Sequence, residues 1–172
     1  MKDVDEMMSQ VGTSGADREG KYLTFSLAGE EYGISILKVK EIIGMMPITY
    51  VPQAPGYVKG VVNLRGKVIP VIDLRLKFGI EPIDYTERTC IIVVEIGSLS
   101  KMIAMGIVVD SVSEVMNIKN GDIEDTPSFG TKLKTEFILG MAKTGAGVKI
   151  LLDINLVLAD EEVSVIEEKA LA

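Results

Sequence analysis

The sequence predicts an all-β protein built from two similar small modules. Three features carry that expectation. Val and Ile together number 39, against 14 Leu and 9 Ala, and branching at Cβ favours pleated strands over helices. Apolar and polar residues alternate in short runs, as at Leu23, Phe25 and Leu27 or at Ile34 and Ile36, the period of a half-buried strand. Turn signals interrupt these runs at close intervals: Gly29-Glu30, Pro52 to Gly56, Arg65-Gly66, Gly97-Ser98, Asn120-Gly121 and Gly145 to Gly147. Many short strands with close turns make small barrels or a sandwich.

Taken in order, residues 1–20 are polar, dotted with Gly and Ser and without a sustained period, which reads as a disordered acidic tail. The body then repeats itself. Gly33-Ile34-Ser35-Ile36 and Val39-Lys40-Glu41-Ile42 match Gly106-Ile107-Val108-Val109 and Val112-Ser113-Glu114-Val115 at an offset of 73. Tyr57-Val58-Lys59-Gly60 resembles Phe137-Ile138-Leu139-Gly140 at an offset of 80, and Asp73-Leu74 answers to Asp153-Ile154. The seven extra residues fit the stretch from Phe129 to Thr135. The body is therefore read as one module at about 21–85 and another at about 88–158, joined by the Pro82-to-Glu87 turn. Modules this small need a shared buried face, and a groove between them is a natural binding site. In residues 159–172, Asp160 suits an N-cap, while Ala159, Val163, Ile166 and Ala170 share one helical face; a short C-terminal helix is expected there.

Charge and composition narrow the function. The chain has 172 residues, 18 Lys+Arg and 25 Asp+Glu, for a formal net charge of −7. The two tails carry all of it, and residues 21–158 hold fifteen charges of each sign. There is no basic surplus for nucleic acid. No histidine is present, which removes imidazole acid–base chemistry, His metal ligands and a phospho-accepting His. The single cysteine, Cys90, opens an apolar strand and reads as inert packing in a reducing, cytoplasmic setting. No apolar run approaches the roughly 18 residues of a membrane helix, and Met1 to Glu6 do not form a signal peptide.

Most candidate motifs fail on chemistry. Gly60 to Lys67 has five residues between its glycines where a phosphate loop has four, and Val68 stands where Ser or Thr would meet magnesium. Gly145-Ala146-Gly147 lacks a third glycine and opens a strand. Asp73 and Asp153 occupy equivalent repeat positions, which argues for a shared structural role such as capping. The run Asn63 to Arg75 leaves two readings side by side. One is a plain hairpin turn with a solvated Arg65. The other is an interface anchor, because Leu64 is costly to expose and sits beside a charge.

Those residues carry a resemblance. Glu31-Tyr32-Gly33-Ile34, Val39-Lys40-Glu41-Ile42, Val51-Pro52, Asn63-Leu64-Arg65-Gly66 through Ile72-Asp73-Leu74-Arg75, and Gly106 through Val115 resemble the CheW family of bacterial chemotaxis coupling proteins, over about 21–158. The resemblance implies two intertwined five-stranded SH3-like barrels, no catalysis, no cofactor and no metal. It implies an adaptor between the cytoplasmic tip of chemoreceptors and the regulatory domain of the histidine kinase CheA, soluble but recruited to membrane receptor arrays without inserting. The length leaves no room for the kinase's own further modules or for an added receiver domain.

By the same resemblance, Ile36, Val39 and Ile42, with Val108 and Val112 opposite, are the receptor-binding residues, lining a groove that takes a helix by its apolar face. Each of them could equally be core. Lys59, Gly60, Asn63, Leu64 and Arg65 are the kinase-binding residues, and Glu41 and Arg65 form an orienting ion pair within hydrogen-bonding range. The competing function is a small-molecule-binding β-barrel that uses the inter-barrel groove. It would need polar groups converging there, where Val, Ile and Met are expected instead. The nine methionines suit adaptable protein contacts and core filling alike.

Overall fold

The computed structural model describes residues 17–98, 101–127, 136–145 and 147–158. The chain runs β1 (Gly20–Leu27), β2 (Glu30–Ser35), β3 (Val39–Gly44), β4 (Val58–Leu64), β5 (Lys67–Asp73), a one-turn helix α1 (Leu74–Lys77), β6 (Cys90–Ser98), β7 (Lys101–Val109), β8 (Ser111–Ile118), the two-residue β9 (Ile123–Glu124), β10 (Ile138–Thr144), β11 (Gly147–Leu152) and a second one-turn helix α2 (Ile154–Val157). The fold is all-β and SH3-like. The terminal helix expected over 159–172, the inserted stretch from Phe129 to Thr135 and residues 1–16 of the expected tail lie outside the described residues. Within 17–20 the tail reading gives way. Gly20 already belongs to β1, and the Arg18 guanidinium donates to Asp125 at 3.0 Å and to the Leu139 carbonyl at 2.9 Å.

The strands form a five-stranded sheet in the order β3-β6-β7-β5-β4 and a six-stranded sheet in the order β8-β1-β2-β11-β10-β9. Replacing each strand of the first by its repeat partner gives the first five strands of the second. Each sheet thus borrows its central hairpin from the other half of the sequence. The division near residue 87 is a boundary between repeats, and neither sheet is made from 21–85 or 88–158 alone. The physical reason lies in the crossovers. β2 is followed by the 3-10 turn Ile36–Lys38 and then β3 in the other sheet, and β7 passes to β8 through Asp110 alone. The count also differs on one side, where β9 adds a sixth strand; in the other sheet an isolated bridge between Thr49 and Val61 stands in its place.

The repeat extends to details. β5 runs parallel to β7 and β11 parallel to β2, with Gly106 opposite Val71 and Gly33 opposite Leu151. The backbone N–H of Asp73 donates to the Tyr57 carbonyl at 2.9 Å and that of Asp153 to Phe137 at 2.8 Å. Their carboxylates accept from Arg75 N at 3.0 Å and Leu156 N at 3.3 Å. Both aspartates therefore cap the helical turn that follows, as satisfied donors at a helix start require.

Three cores result. A shared core between the sheets holds Leu23, Phe25, Leu27 and Ile34 of one sheet against Ile72, Ile92, Val94, Ile107 and Val109 of the other. The five-stranded sheet has its own interior around Val62, Ile69, Val71, Ile91 and Val93. The six-stranded sheet has another around Tyr22, Ile118, Ile123, Ala142 and Leu151. Cys90 is half-buried against the shared core, and burial raises its thiol pKa, so it stays a neutral packing group.

Candidate functional site

Two surface regions collect the candidate residues. The first is the β4–β5 hairpin. Arg65 and Gly66 are its central pair, with φ of 51° and 87°, the left-handed conformations that a tight hairpin turn demands. Asn63 Oδ1 accepts the Gly66 N–H at 2.8 Å and locks the turn. The Arg65 guanidinium donates to the Glu41 carboxylate, which ties the hairpin at one edge of the five-stranded sheet to β3 at the other. That hydrogen bond holds the Glu41 carboxyl below its ordinary range and raises the Arg65 guanidinium above its own. Arg65 remains mostly exposed, at 68%. Beside it, Lys40, Glu41, Leu64, Lys67 and Ile69 line a shallow depression of about 190 Å³.

The other kinase-side candidates divide. Leu64 is half-buried and packs on the interior around Val62 and Ile69, so it is partly spent on the fold. The Lys59 ammonium sits 5.5 Å from the Tyr85 ring centre, and Tyr85 in turn donates to Asp73 at 3.0 Å. Gly60 is buried at a β-bulge, and a Cβ there would lie 2.0 Å from the Thr49 carbonyl oxygen. It offers a partner no surface; its lack of a side chain lets the Thr49 backbone come close enough to pair with Val61. Val68, directly opposite Asn63 and 57% exposed, is the surface residue that reasoning from the sequence missed. Its period-two place within a fully apolar run hid it.

The receptor-side candidates divide too. Ile36, Val39 and Val112 are each half-buried and pack against the shared core. Ile42 points outward at 45% exposure. Val108 is 3% exposed and lies in the interior of the five-stranded sheet. From Met105 to Val109 β7 is buried on both faces, because the shared core lies on one side and the interior of the five-stranded sheet on the other. Alternation sends Ile107 and Val109 to the shared core and Val108 the other way. Ile36 is in the 3-10 turn, not in a strand, because the Ser35 hydroxyl accepts the Leu37 N–H and starts that turn. This throws Leu37 into solvent at 89% exposure, above a depression of about 230 Å³ that includes Tyr22, Ser35 and Ile36. The break of alternation at Ile36-Leu37 was the available signal.

A further ion pair joins α1 to the β7–β8 crossover. Arg75 donates Nε and a terminal nitrogen to the two oxygens of Asp110, each at 2.7 Å. The Arg75 hydrogen bonds hold the Asp110 carboxyl below its usual value against the opposing effect of burial. A carboxylate with a depressed native pKa contributes stability that is present above its unfolded pKa and is lost as pH falls through its native one. Unfolding midpoints in urea should therefore drop on acidification below about pH 4. Asp110→Asn should start lower and drop less over the same range; equal slopes would contradict the assignment.

No group of His, Cys, Asp and Glu suited to a metal is found among the described residues, and none of their helices is long and apolar enough to cross a membrane. The model of the CheW-like domain matches residues 21–162, which takes in every candidate site residue. The chain belongs to the CheW-like family. It is similar to the chemotaxis protein CheW of Klebsiella aerogenes, at 41% identity over 150 residues that cover 87% of this chain and 88% of that one. The chemotaxis protein CheW of Thermotoga maritima matches at 31% identity over 87% and 93% of the two chains. The crystal structure of the scaffolding protein TtCheW from Thermoanaerobacter tengcongensis superposes with a TM-score of 0.73 at 38% identity, covering 84% of this chain and 95% of that one.

Proposed function

We propose that this chain is a non-enzymatic chemotaxis scaffold that couples the cytoplasmic tip of chemoreceptors to the histidine kinase CheA. The observation that carries the proposal is the Arg65-Gly66 turn, fixed by Asn63 and Glu41 with its guanidinium left exposed. An arginine held in one orientation beside a shallow, partly apolar depression is a protein-recognition feature. Relatives named as chemotaxis proteins and a scaffolding protein support the same reading. Asn63, Leu64, Arg65 and Val68 form the face for the CheA regulatory domain, with Lys59 at its margin. Ile36, Leu37, Val39 and Val112 form the face for a receptor helix. The protein acts in the cytoplasm and joins membrane arrays through its partners.

The two depressions described above do not favour small-molecule binding. Both fall below the roughly 300–1,000 Å³ of ligand sites, and the apolar groove residues pack on the core. Calorimetric titration of the full chain with a CheA regulatory domain should give saturable, one-to-one binding. No heat and no complex by gel filtration, with a folded chain, would refute the kinase half of the proposal.

A further inference from the structure

The two crossovers between the sheets are repeat equivalents, yet they are built differently. One is the Ile36–Lys38 turn, whose Leu37 is 89% exposed. At the repeat-equivalent position in the other stands Asp110, and it is held on every side. Arg75 grips it with two 2.7 Å hydrogen bonds. Its Oδ2 also accepts the Ala28 N–H at 2.8 Å, and its own N–H donates to the Ser26 carbonyl at 3.1 Å. Arg75 spends its remaining terminal nitrogen on the Glu81 carbonyl at 2.7 Å. The side chains of Arg75 and Asp110 are 12% and 20% exposed, and a bidentate pair so shielded from water is both strong and directional.

The parts joined belong to different sheets. Ser26 lies in β1 and Ala28 in the β1–β2 turn of the six-stranded sheet, and Asp110 directly follows β7 of the five-stranded one. Arg75 is in α1, directly after β5 and its hairpin with β4. α1 has a second attachment, because its C-cap Phe78 stacks 5.4 Å from Phe137 and meets Tyr32 at 6.0 Å with the rings tilted, and Tyr32 in turn stacks 5.9 Å from Phe25. On the other side of the pseudo-symmetry Asn155 replaces Arg75 and makes a 3.4 Å contact with the Gly97 N–H. No ion pair is possible there.

We propose that Arg75 and Asp110 form a positioning clamp that fixes the angle between the two sheets, and through it the relation of the groove to the β4–β5 turn. The clamp acts at Asp110, and the Ile36–Lys38 crossover, with Leu37 in that place, carries no equivalent ion pair. The functional part of this inference rests on the scaffold reading; the mechanical part does not.

The test uses the full chain in a Cys90→Ala background with spin labels at Lys67→Cys on β5 and Lys143→Cys on β10, one per sheet. The expected result is a narrow inter-label distance distribution that broadens and shifts in Arg75→Gln and in Asp110→Asn. Arg75→Lys, which keeps the charge but not the bidentate geometry, should fall between, and decides the matter if the other variants fail to fold. Separate affinities for a CheA regulatory domain and a receptor-tip fragment should change by less than about threefold, while receptor control of CheA activity in reconstituted membranes falls by about fivefold or more. An unchanged distance distribution in a folded variant overturns the clamp. Failure of the parent chain to bind either fragment would count against the scaffold reading, and the distances would still decide the clamp.

Discussion

Gly60→Ala is expected to destabilise the chain by about 3 kcal/mol or more, at the severe end of single substitutions. The reason is local and steric. Gly60 has a φ of 142° and lies at the bulge between β4 and β5. An added Cβ would sit 2.0 Å from the Thr49 oxygen and 2.7 Å from its carbonyl carbon. Backbone atoms cannot rotate away as the end of a side chain can. The substitution must break the exchange between Thr49 and Val61, now two hydrogen bonds of 2.8 and 2.9 Å, or bend β4 away from it. Gly66→Ala is the informative contrast. Its φ of 87° makes alanine strained, but no atom lies within 4 Å of the new Cβ, so the cost should stay near about 1–2 kcal/mol. Urea unfolding of both variants checks the ordering, and equal midpoints would contradict it. Loss of kinase binding in Gly60→Ala would then follow from a displaced β4–β5 hairpin, since Gly60 itself is buried.

Arg65→Ala is expected to weaken binding of the CheA regulatory domain by about tenfold or more, the scale of an arginine at the centre of an interface. Its unfolding midpoint should scarcely move, because the pair with Glu41 is exposed on the Arg65 side and water replaces what is lost. Glu41→Gln separates orientation from contact. It leaves the guanidinium in place but loosens it, so the loss should be smaller and affinity should remain measurable. Arg65→Lys should recover charge without the planar fork and rescue only in part. Calorimetry on the three variants checks the series. A midpoint that collapses in Arg65→Ala would mean the pair is structural, and an affinity that does not change would remove Arg65 from the interface.

Much of this fold was legible before any coordinates. β-Branched composition and close turns give the strand class, and two offsets, 73 and 80, give the repeat. Equivalent aspartates foretell equivalent caps. A repeat cannot tell which copy a strand pairs with. β1 and β6 are interchangeable in pattern, and only the single-residue crossover at Asp110 and the short turn at Ile36–Lys38 send each hairpin into the opposite sheet. The family resemblance supplied the intertwining; the residue ranges did not.

The site was readable in part for similar reasons. The Arg65-Gly66 turn and its Glu41 partner stand in local sequence or in the resemblance. Val108 was misassigned because alternation sorts a central strand into two faces without saying which core each meets. Gly60 looked like surface because the Thr49 segment that covers it is eleven residues away. Leu37 was passed over because a strand pattern was extended one turn too far, past the Ser35 hydroxyl that ends it.

The central claim is that one chain holds both partners at once through separate faces. Sedimentation velocity on the full chain mixed with a CheA regulatory domain and a receptor-tip fragment, alone and together, tests it most directly. The account predicts a ternary species heavier than either binary complex, lost at the kinase end in Arg65→Ala and at the receptor end in Leu37→Asp. Mutual displacement of the two partners, leaving only binary complexes at saturating concentrations, would contradict it.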